Sequence, residues 1–375
     1  MKYTFYIALA AFSLLLVSCK GKPEQRPEAA VLAADSIYYA GGFTLETHPG
    51  YELVTVKNPW DKSKVLHRYL LVPKSGTLPE NLPAGTLLRT PLERIVVFSS
   101  VLCGMLDELG ALSSLAGVTD PQYMDIPAVQ AQLSLGKILD LGQEMNPDIE
   151  KLMLAEPEAI FTNPVNEAGT GSLNKLNVPV VHCVEYMETH PLGQTEWIRL
   201  IGRLFDKKEH ADALFFETVR SYNELKALTA TVSHRPTVFT ELKSGDFWYM
   251  PGGKSYMAQL LAAAGADYIL KDDPSAGSIS LPFEQVLDKA ENACFWLFKY
   301  YQPQDMTYAQ LAEGYNNYTL FDAFKKRNIY VCNTAKIPYY RELPLHPDRI
   351  LMDMIHLFHP ELLPGYRPRY FSGLK

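Results

Sequence analysis

The sequence predicts an α/β protein: two α/β lobes of similar size joined by one long α-helix, with a small β-rich N-terminal extension. Three observations predict it. From Arg94 onward, short apolar runs such as Ile95–Phe98 and Leu115–Val118 alternate with helical stretches, the grammar of a mainly parallel sheet covered on both faces. Between the two halves, Asp206 to Ala230 contains no Pro or Gly, and Ala211, Leu214, Phe215, Val219, Tyr222 and Leu225 recur at steps of three or four. That spacing predicts one amphipathic helix of more than twenty residues, near 35 Å long at about 1.5 Å per residue. Before Arg94, residues 38–73 alternate polar and apolar positions around Gly41-Gly42, Pro49-Gly50 and Asn58-Pro59, a signature of short antiparallel strands.

The chain opens on a targeting segment. Lys2 gives a positive start, Ile7 to Val17 form a mostly apolar run, and Leu16-Val17-Ser18-Cys19 closes it. The run is too short to span a bilayer, and residues 1–18 read as a secretory signal peptide. Leu16 three residues before Cys19, with small Ser18 just before it, resembles a bacterial lipoprotein box. The resemblance implies cleavage before Cys19, a diacylglycerol on its sulfur and an acylated amino terminus, an anchor stronger than any single chain. Residues 19–37 are polar, contain Pro23 and Pro27 and lack apolar periodicity, so they read as a lipidated flexible tether. The expected location is the periplasm or cell envelope, with the protein exported and lipid-anchored to a membrane.

The remaining elements follow in order. In the extension, 38–92, Phe43–Thr47, Tyr51–Val56 and Tyr69–Val72 are predicted strands, and Pro73 to Pro91 is a Pro/Gly-rich connection. The N-terminal lobe, 93–205, starts with the strand Ile95–Phe98. Ser99-Ser100 stands where a cap belongs, and Val101, Leu102, Met105, Leu106 and Leu109 mark a helix that Gly110 ends. Leu115–Val118, Glu158–Phe161 and Val178–Val181 are further strands, with a helix over Asp148–Leu154. The linker helix takes 206–232. The C-terminal lobe, 233–375, resumes the alternation: strands Thr237–Thr240, Tyr268–Leu270, Cys294–Phe298 and Ile329–Val331, with helices Tyr256–Ala264 and Pro282–Lys289.

Composition narrows the function. Hydrophobic content of 47% with 21% charged residues is that of a soluble globular body. A net charge of −7 without any Lys/Arg run argues against nucleic acid as a partner, since a basic patch is its first requirement. Cys103, Cys183, Cys294 and Cys332 match no zinc spacing. They read as buried small hydrophobes, and export allows one disulfide among them. Gly252-Gly253-Lys254-Ser255 imitates a phosphate loop, but Trp248 stands where that motif needs its first Gly. His356 and His359, with His346, Asp348 and Asp353 nearby, have the spacing of one helix face and read as packing rather than a metal site. No Gly-x-Ser-x-Gly elbow is present. No catalytic residue, metal site or resident cofactor is assigned, and the protein is not expected to be an enzyme.

One family gathers these features. Arg94–Ser100 with Leu109-Gly110-Ala111, Gly117-Val118-Thr119 with Tyr123, Asn146–Glu150, Glu156–Ile160, Val178–Val181, Pro251–Ser255, Ala264-Gly265-Ala266 and Phe283–Leu287 follow one another in the order and spacing of a known group. In these the chain resembles the periplasmic-binding proteins of ABC importers that capture ferric siderophores, haem and cobalamin. Glu156–Ile160 departs conservatively from the Lys-Pro-Asp-Leu-Val common in that family. The resemblance runs from about Arg94 to the C-terminus and leaves 38–92 without a counterpart. It implies two Rossmann-like lobes, a rigid linker helix with small hinge motion, an inter-lobe ligand cleft, and delivery to an inner-membrane permease dimer. It also implies one exposed carboxylate per lobe docking onto permease arginines, at the matching positions Glu150 and Glu284. Charge-assisted pairs on both lobes would fix orientation and register, although Glu near a helix start is also favoured by the helix dipole alone.

Ligands of open α/β sheets sit beyond the carboxyl ends of the strands. That places Ser99, Ser100 and Tyr123 of the first lobe and Trp248, Tyr249, Tyr300, Tyr339 and Arg341 of the second among the ligand-binding candidates. Aromatic faces suit a large flat chelate, and Arg341 suits a carboxylate or catecholate. The expected partners are therefore a small-molecule metal chelate (ferric siderophore, haem or cobalamin), the ABC permease, and a membrane through the lipid on Cys19. Two alternatives remain at this level. One is a tetrapyrrole metal chelatase-like enzyme of related two-lobed fold. The other is a surface haem or siderophore scavenger working with an outer-membrane transporter, for which 38–92 would serve.

Overall fold

A computed structural model describes residues 36–166 and 171–375. The signal peptide, Cys19 and the tether up to residue 35 lie outside the described residues. Residues 37–375 form one compact unit. Among the described residues, no helix is long and apolar enough to cross a membrane.

The extension is a four-stranded sheet. β1 (Phe43–His48), β2 (Tyr51–Lys57) and β3 (Val65–Pro73) form an antiparallel meander, with Phe43 opposite Val56 and Val54 opposite Tyr69. Alternation along β2 turns Val54 and Val56 into the core, both fully buried. β4 (Thr86–Thr90) then pairs parallel to β3. The sequence reading left this stretch as connection. The Pro-rich segment before it is the crossover that a parallel pair requires, and Leu88 supplies the buried contact.

In the N-terminal lobe, β5 (Ile95–Val97) leads into α1 (Ser100–Glu108), and β6 (Leu115–Val118) is followed by α2 (Pro127–Ser134) and β7 (Leu139–Asp140). A short hairpin of β8 (Gly142–Gln143) and β9 (Asn146–Pro147) precedes α3 (Ile149–Leu154), which Asp148 caps by accepting from the Lys151 N–H at 3.0 Å. β10 (Ala159–Thr162) and β11 (Val180–His182) complete an all-parallel sheet in the order β11-β10-β5-β6-β7. Its central strands β5, β6 and β10 are buried at every position, as in a parallel sheet covered on both faces.

The connection to the second lobe is a helical hairpin rather than a lone rod. α4 (Pro191–Leu204) and α5 (Lys208–Leu228) are joined by a three-residue turn with Asp206 in the left-handed region at φ 55°. α5 buries the predicted Ala211, Phe215, Val219, Tyr222 and Leu225. α4 is buried along its whole length, since the extension lies on the face that would otherwise meet solvent: Phe43 packs edge-on against Trp197 at 4.9 Å. The entering chain is clipped to the same helix. Glu196 accepts from the backbone N–H groups of Tyr39 (2.7 Å) and Ala40 (2.8 Å), and Glu188, just before the helix, accepts from Gly41 and Gly42. Arg199, itself fully buried, bonds Glu196 at 2.9 Å and Asp212 of α5 at 2.6 Å.

The C-terminal lobe is built on β12 (Thr237–Thr240), with β13 (Lys243–Ser244), β14 (Phe247–Pro251), α6 (Tyr256–Ala263), β15 (Asp267–Tyr268), β16 (Ser278–Leu281) and α7 (Phe283–Ala290) following. After β17 (Phe295–Tyr300) come α8 (Tyr308–Gly314), α9 (Asp322–Lys325), β18 (Ile329–Asn333), α10 (Tyr339–Glu342), α11 (Pro347–Phe358), which packs on α5, and β19 (Ser372–Gly373). The main sheet runs β15-β12-β17-β18-β19, parallel except for β19. A second sheet, β13-β14-β16, is antiparallel.

That small sheet corrects two site expectations. Alternation along β14 sends Trp248 and Met250 inward and Phe247 and Tyr249 outward. Trp248 is fully buried, packed tilted or edge-on among Phe239, Trp296, Tyr318 and Phe321, and its indole N–H donates to the Thr240 carbonyl at 3.0 Å. It is a core residue. Gly253 after it has its own structural reason: a Cβ there would lie 2.4 Å from the Leu270 carbonyl oxygen. Ser255 caps α6 by accepting from the Ala258 N–H.

The four described cysteines are free, with Cys103, Cys183 and Cys332 buried and Cys294 partly so. His359 is buried and bonds the Gly265 carbonyl at 3.1 Å. Among the described residues no cluster of three or more His, Cys, Asp or Glu can hold a metal ion.

Candidate functional site

A cleft of about 1110 Å³ opens where the carboxyl ends of the two parallel sheets face each other. The chain reverses its strand order between β5 and β10 in the first sheet and between β12 and β17 in the second. At such points the loops leaving neighbouring strands diverge and leave a crevice.

From the first lobe, Phe98 to Val101 leave β5, Asp120 to Asp125 follow β6, Asn163 follows β10, and Glu185 and Tyr186 follow β11. From the second, Lys299 to Tyr301 end β17, and Thr334 to Arg341 follow β18 into α10.

Six of the eight ligand candidates read from the sequence line this cleft: Ser99, Ser100, Tyr123, Tyr300, Tyr339 and Arg341. Ser99 starts α1, but its side chain makes no capping bond. Tyr123 is 56% exposed and meets Tyr301 of the other lobe edge-on, with ring centroids 6.4 Å apart. Tyr300 accepts a bond from the Met306 N–H through its hydroxyl. Tyr339 is only 1% exposed, and its hydroxyl has no partner among the described residues. Arg341 reaches across from α10, its Nε donating to Asp125 at 2.7 Å. Gly104 on α1 makes that reach possible, since a Cβ there would sit 2.7 Å from the Arg341 Cγ. Trp248 and Tyr249 do not line the cleft. The first is sealed in the core, and the second faces solvent from the outer side of β14.

Sequence reading missed the polar floor. Asn163 donates through Nδ2 to the Cys183 carbonyl (2.9 Å) and to Glu185 Oε1 (2.8 Å). The remaining Asn163 Oδ1 and Glu185 Oε2 have no partner among the described residues. Burial pushes the Glu185 carboxyl up to about 7. Beside it on the same wall, burial and then the Asp120 charge push Glu144 above its ordinary value. Asp120, at φ 47°, accepts from the Glu144 N–H at 2.8 Å. The sequence carries a signal for these residues, because Asn163 directly follows β10 and Glu185 comes three residues after β11, both beyond carboxyl ends of sheet strands as Ser99 is.

The opposite wall carries three cations, each already paired. Lys299 forms a salt bridge with Glu241; burial alone would lower its pKa, but the carboxylate beside it raises it. Lys336 holds Asp305 at 2.7 Å, and Arg341 holds Asp125 at 2.7 Å with Asp107 at 3.9 Å. The predicted docking pair lies elsewhere. Glu150 and Glu284 are exposed in the first turns of α3 and α7, and neither lines the cleft.

A wide cleft between two α/β lobes, with aromatic lips and a polar floor, suits reversible capture of one bulky molecule. Comparison with known proteins agrees with that architecture. A family model described as periplasmic binding protein matches residues 95–335. An uncharacterized lipoprotein of Methanocaldococcus jannaschii is 26% identical over 296 residues, 76% of this chain and 69% of that protein. A possible iron-binding periplasmic solute-binding protein from Staphylococcus epidermidis superposes with a TM-score of 0.56 at 19% identity, covering 72% of this chain and 100% of its own. A periplasmic heme binding protein from Pseudomonas aeruginosa gives 0.58 at 16% identity, covering 76% and 98%. At these identities the structural matches speak for the fold. The family match begins at residue 95, so β1 to β4 lie outside it.

Proposed function

The chain belongs to the periplasmic binding protein family, a family of substrate-binding proteins rather than enzymes, and from that premise we propose that it is the ligand-capturing component of an ABC importer. In this reading it is a lipoprotein held through Cys19 that takes an iron chelate, haem or a corrinoid into the inter-lobe cleft and hands it to the permease. No bond is made or broken. The observation that carries the reading is the cleft itself: about 1110 Å³ at the facing carboxyl ends of two parallel sheets, rimmed by Tyr123, Tyr186, Tyr301 and Tyr340. That volume exceeds what a single amino acid or bare metal ion needs. Aromatic rings bury large area at low entropic cost against a flat or bulky guest. The similar structures named for iron and heme binding support the same class of cargo.

Purification under native conditions, followed by absorption spectra and titration with ferric catecholate, ferric hydroxamate, haemin and cobalamin, tests it. The expected result is saturable one-to-one binding of at least one class below about 10 μM. Failure of all four at that level overturns the reading.

A further inference from the structure

The charges around the cleft bear on which class of metal complex it takes, a question that deepens the reading just proposed and rests on it. On the first-lobe wall the described lining residues include Asp120, Asp125, Glu144 and Glu185 and no Lys, Arg or His. The second-lobe wall has Lys299, Lys336 and Arg341, but Glu241, Asp305 and Asp125 occupy them. An anionic guest entering this space would meet carboxylates on one side and neutralised cations on the other. Breaking a salt bridge to free a cation leaves its partner carboxylate uncompensated, which cancels much of the gain.

The floor points the other way. Glu185 is 2% exposed and lines the cleft with Oε2 unpartnered among the described residues. Asn163 Oδ1 stands beside it, also unpartnered, because the Asn163 amide nitrogen is spent on Glu185 Oε1 and the Cys183 carbonyl. With Glu185 in its carboxylate form these are two acceptors side by side at the bottom of a cleft; they ask for hydrogen-bond donors on the guest, and a buried acceptor left unmet is costly. The Tyr339 hydroxyl, 1% exposed and unpartnered, offers one more polar atom from the facing lobe.

We infer that this cleft selects a neutral or cationic metal complex carrying N–H donors, such as the carboxamide-fringed corrinoids, over polyanionic chelates. Selectivity has two sources: the floor acceptors Asn163 and Glu185 meet the donors, and the internal pairing of Lys299, Lys336 and Arg341 withholds counter-charge from anions.

The test is a titration of the full chain, followed by tryptophan fluorescence and calorimetry, with cyanocobalamin, neutral ferric trihydroxamate, haemin and trianionic ferric tris-catecholate. Cyanocobalamin is expected to bind at least about tenfold more tightly than haemin or the catecholate. Equal or tighter binding of either anionic complex overturns the inference while leaving chelate capture intact. Binding of none overturns both. The double variant Asp125→Asn, Asp305→Asn, which removes the 2.7 Å carboxylate partners of Arg341 and Lys336, should gain about tenfold for the tris-catecholate; no gain refutes the role given to pairing. Glu185→Leu should lose about tenfold for cyanocobalamin, with the trihydroxamate and tris-catecholate affinities reporting whether the cleft is still formed. Equal cyanocobalamin affinity in that variant counts against the floor.

Discussion

Tyr123 and Tyr301 meet edge-on across the mouth of the cleft, one from each lobe, with their ring planes at 76°. Both rings are more than half exposed, so neither is held in place by core packing. An aromatic pair in this geometry contributes about 0.5–1.5 kcal/mol, little enough for a guest to displace. Replacing either with Ala is expected to weaken binding of the preferred chelate roughly tenfold and to leave the unfolding midpoint within about 0.5 kcal/mol of wild type. Titration and urea denaturation read the two effects separately. Unchanged affinity in both variants would remove the pair from the binding surface.

Trp248 and its neighbour Tyr249 should behave as opposites of that pair. Trp248→Ala opens a cavity between the two sheets of the C-terminal lobe and is expected to cost about 3–5 kcal/mol, with the affinity of the remaining folded protein unchanged. Tyr249→Ala, on the solvent face of β14, should alter neither quantity. A chelate affinity that falls with Tyr249→Ala would contradict the position of the cleft.

The clip beneath the extension is a buried charge network. Glu196 and Arg199 are both fully enclosed, and Glu196 also holds the N–H groups of residues 38–40. Glu196→Ala takes a carboxylate from the buried guanidinium and frees those N–H groups, a loss of about 3–5 kcal/mol. Limited proteolysis should then cut near residues 36–42 well before the body unfolds. Resistance at that site equal to wild type would show that other contacts hold the segment.

Glu185 gives stability a pH dependence of definite sign. Folding raises its proton affinity from the ordinary 4.5 to about 7, so the folded protein binds more protons than the unfolded chain between these values. Its neutral form therefore stabilises fully below about pH 4.5, and that contribution is lost as pH rises through 7. At about 1.4 kcal/mol per tenfold change in proton affinity, the loss is on the order of 3 kcal/mol. Urea unfolding at pH 5 and pH 8 should show it in the wild type and show a flatter response in Glu185→Gln. Parallel slopes in the two proteins would assign the dependence elsewhere. Affinity for a donor-bearing complex should move oppositely, rising with pH as the carboxylate forms.

Permease docking is proposed through Glu150 and Glu284. The double variant to Ala is expected to bind its chelate with wild-type affinity and to lose stimulation of permease ATPase activity. Stimulation at the wild-type level would refute the assignment.

Much of this fold is written in local pattern. The α5 helix is legible because 25 residues without Pro or Gly carry apolar side chains at steps of three and four, and the parallel strands are legible as short apolar runs. β14 was not, because Phe247, Trp248 and Tyr249 are aromatic on both faces and give no alternation to read. The same ambiguity put Trp248 in the cleft instead of the core. The pairing of Arg341 with Asp125 spans 216 positions and that of Lys299 with Glu241 spans 58; no local rule relates such residues. The floor residues were closer to view, since the strand-end rule that picked Ser99 applies equally to Asn163 and Glu185. What hid them was chemical type: a serine or aromatic advertises ligand contact, whereas an isolated carboxylate reads as ordinary surface.

The seizing of residues 38–42 by Glu188 and Glu196 has a mechanical consequence. Any pull arriving along the upstream chain enters the body at α4, the most enclosed helix, and is shared at once with Arg199, Asp212 and the β1 strand. A tether drawn tight would thus load the most enclosed of the described helices first, rather than a free strand end.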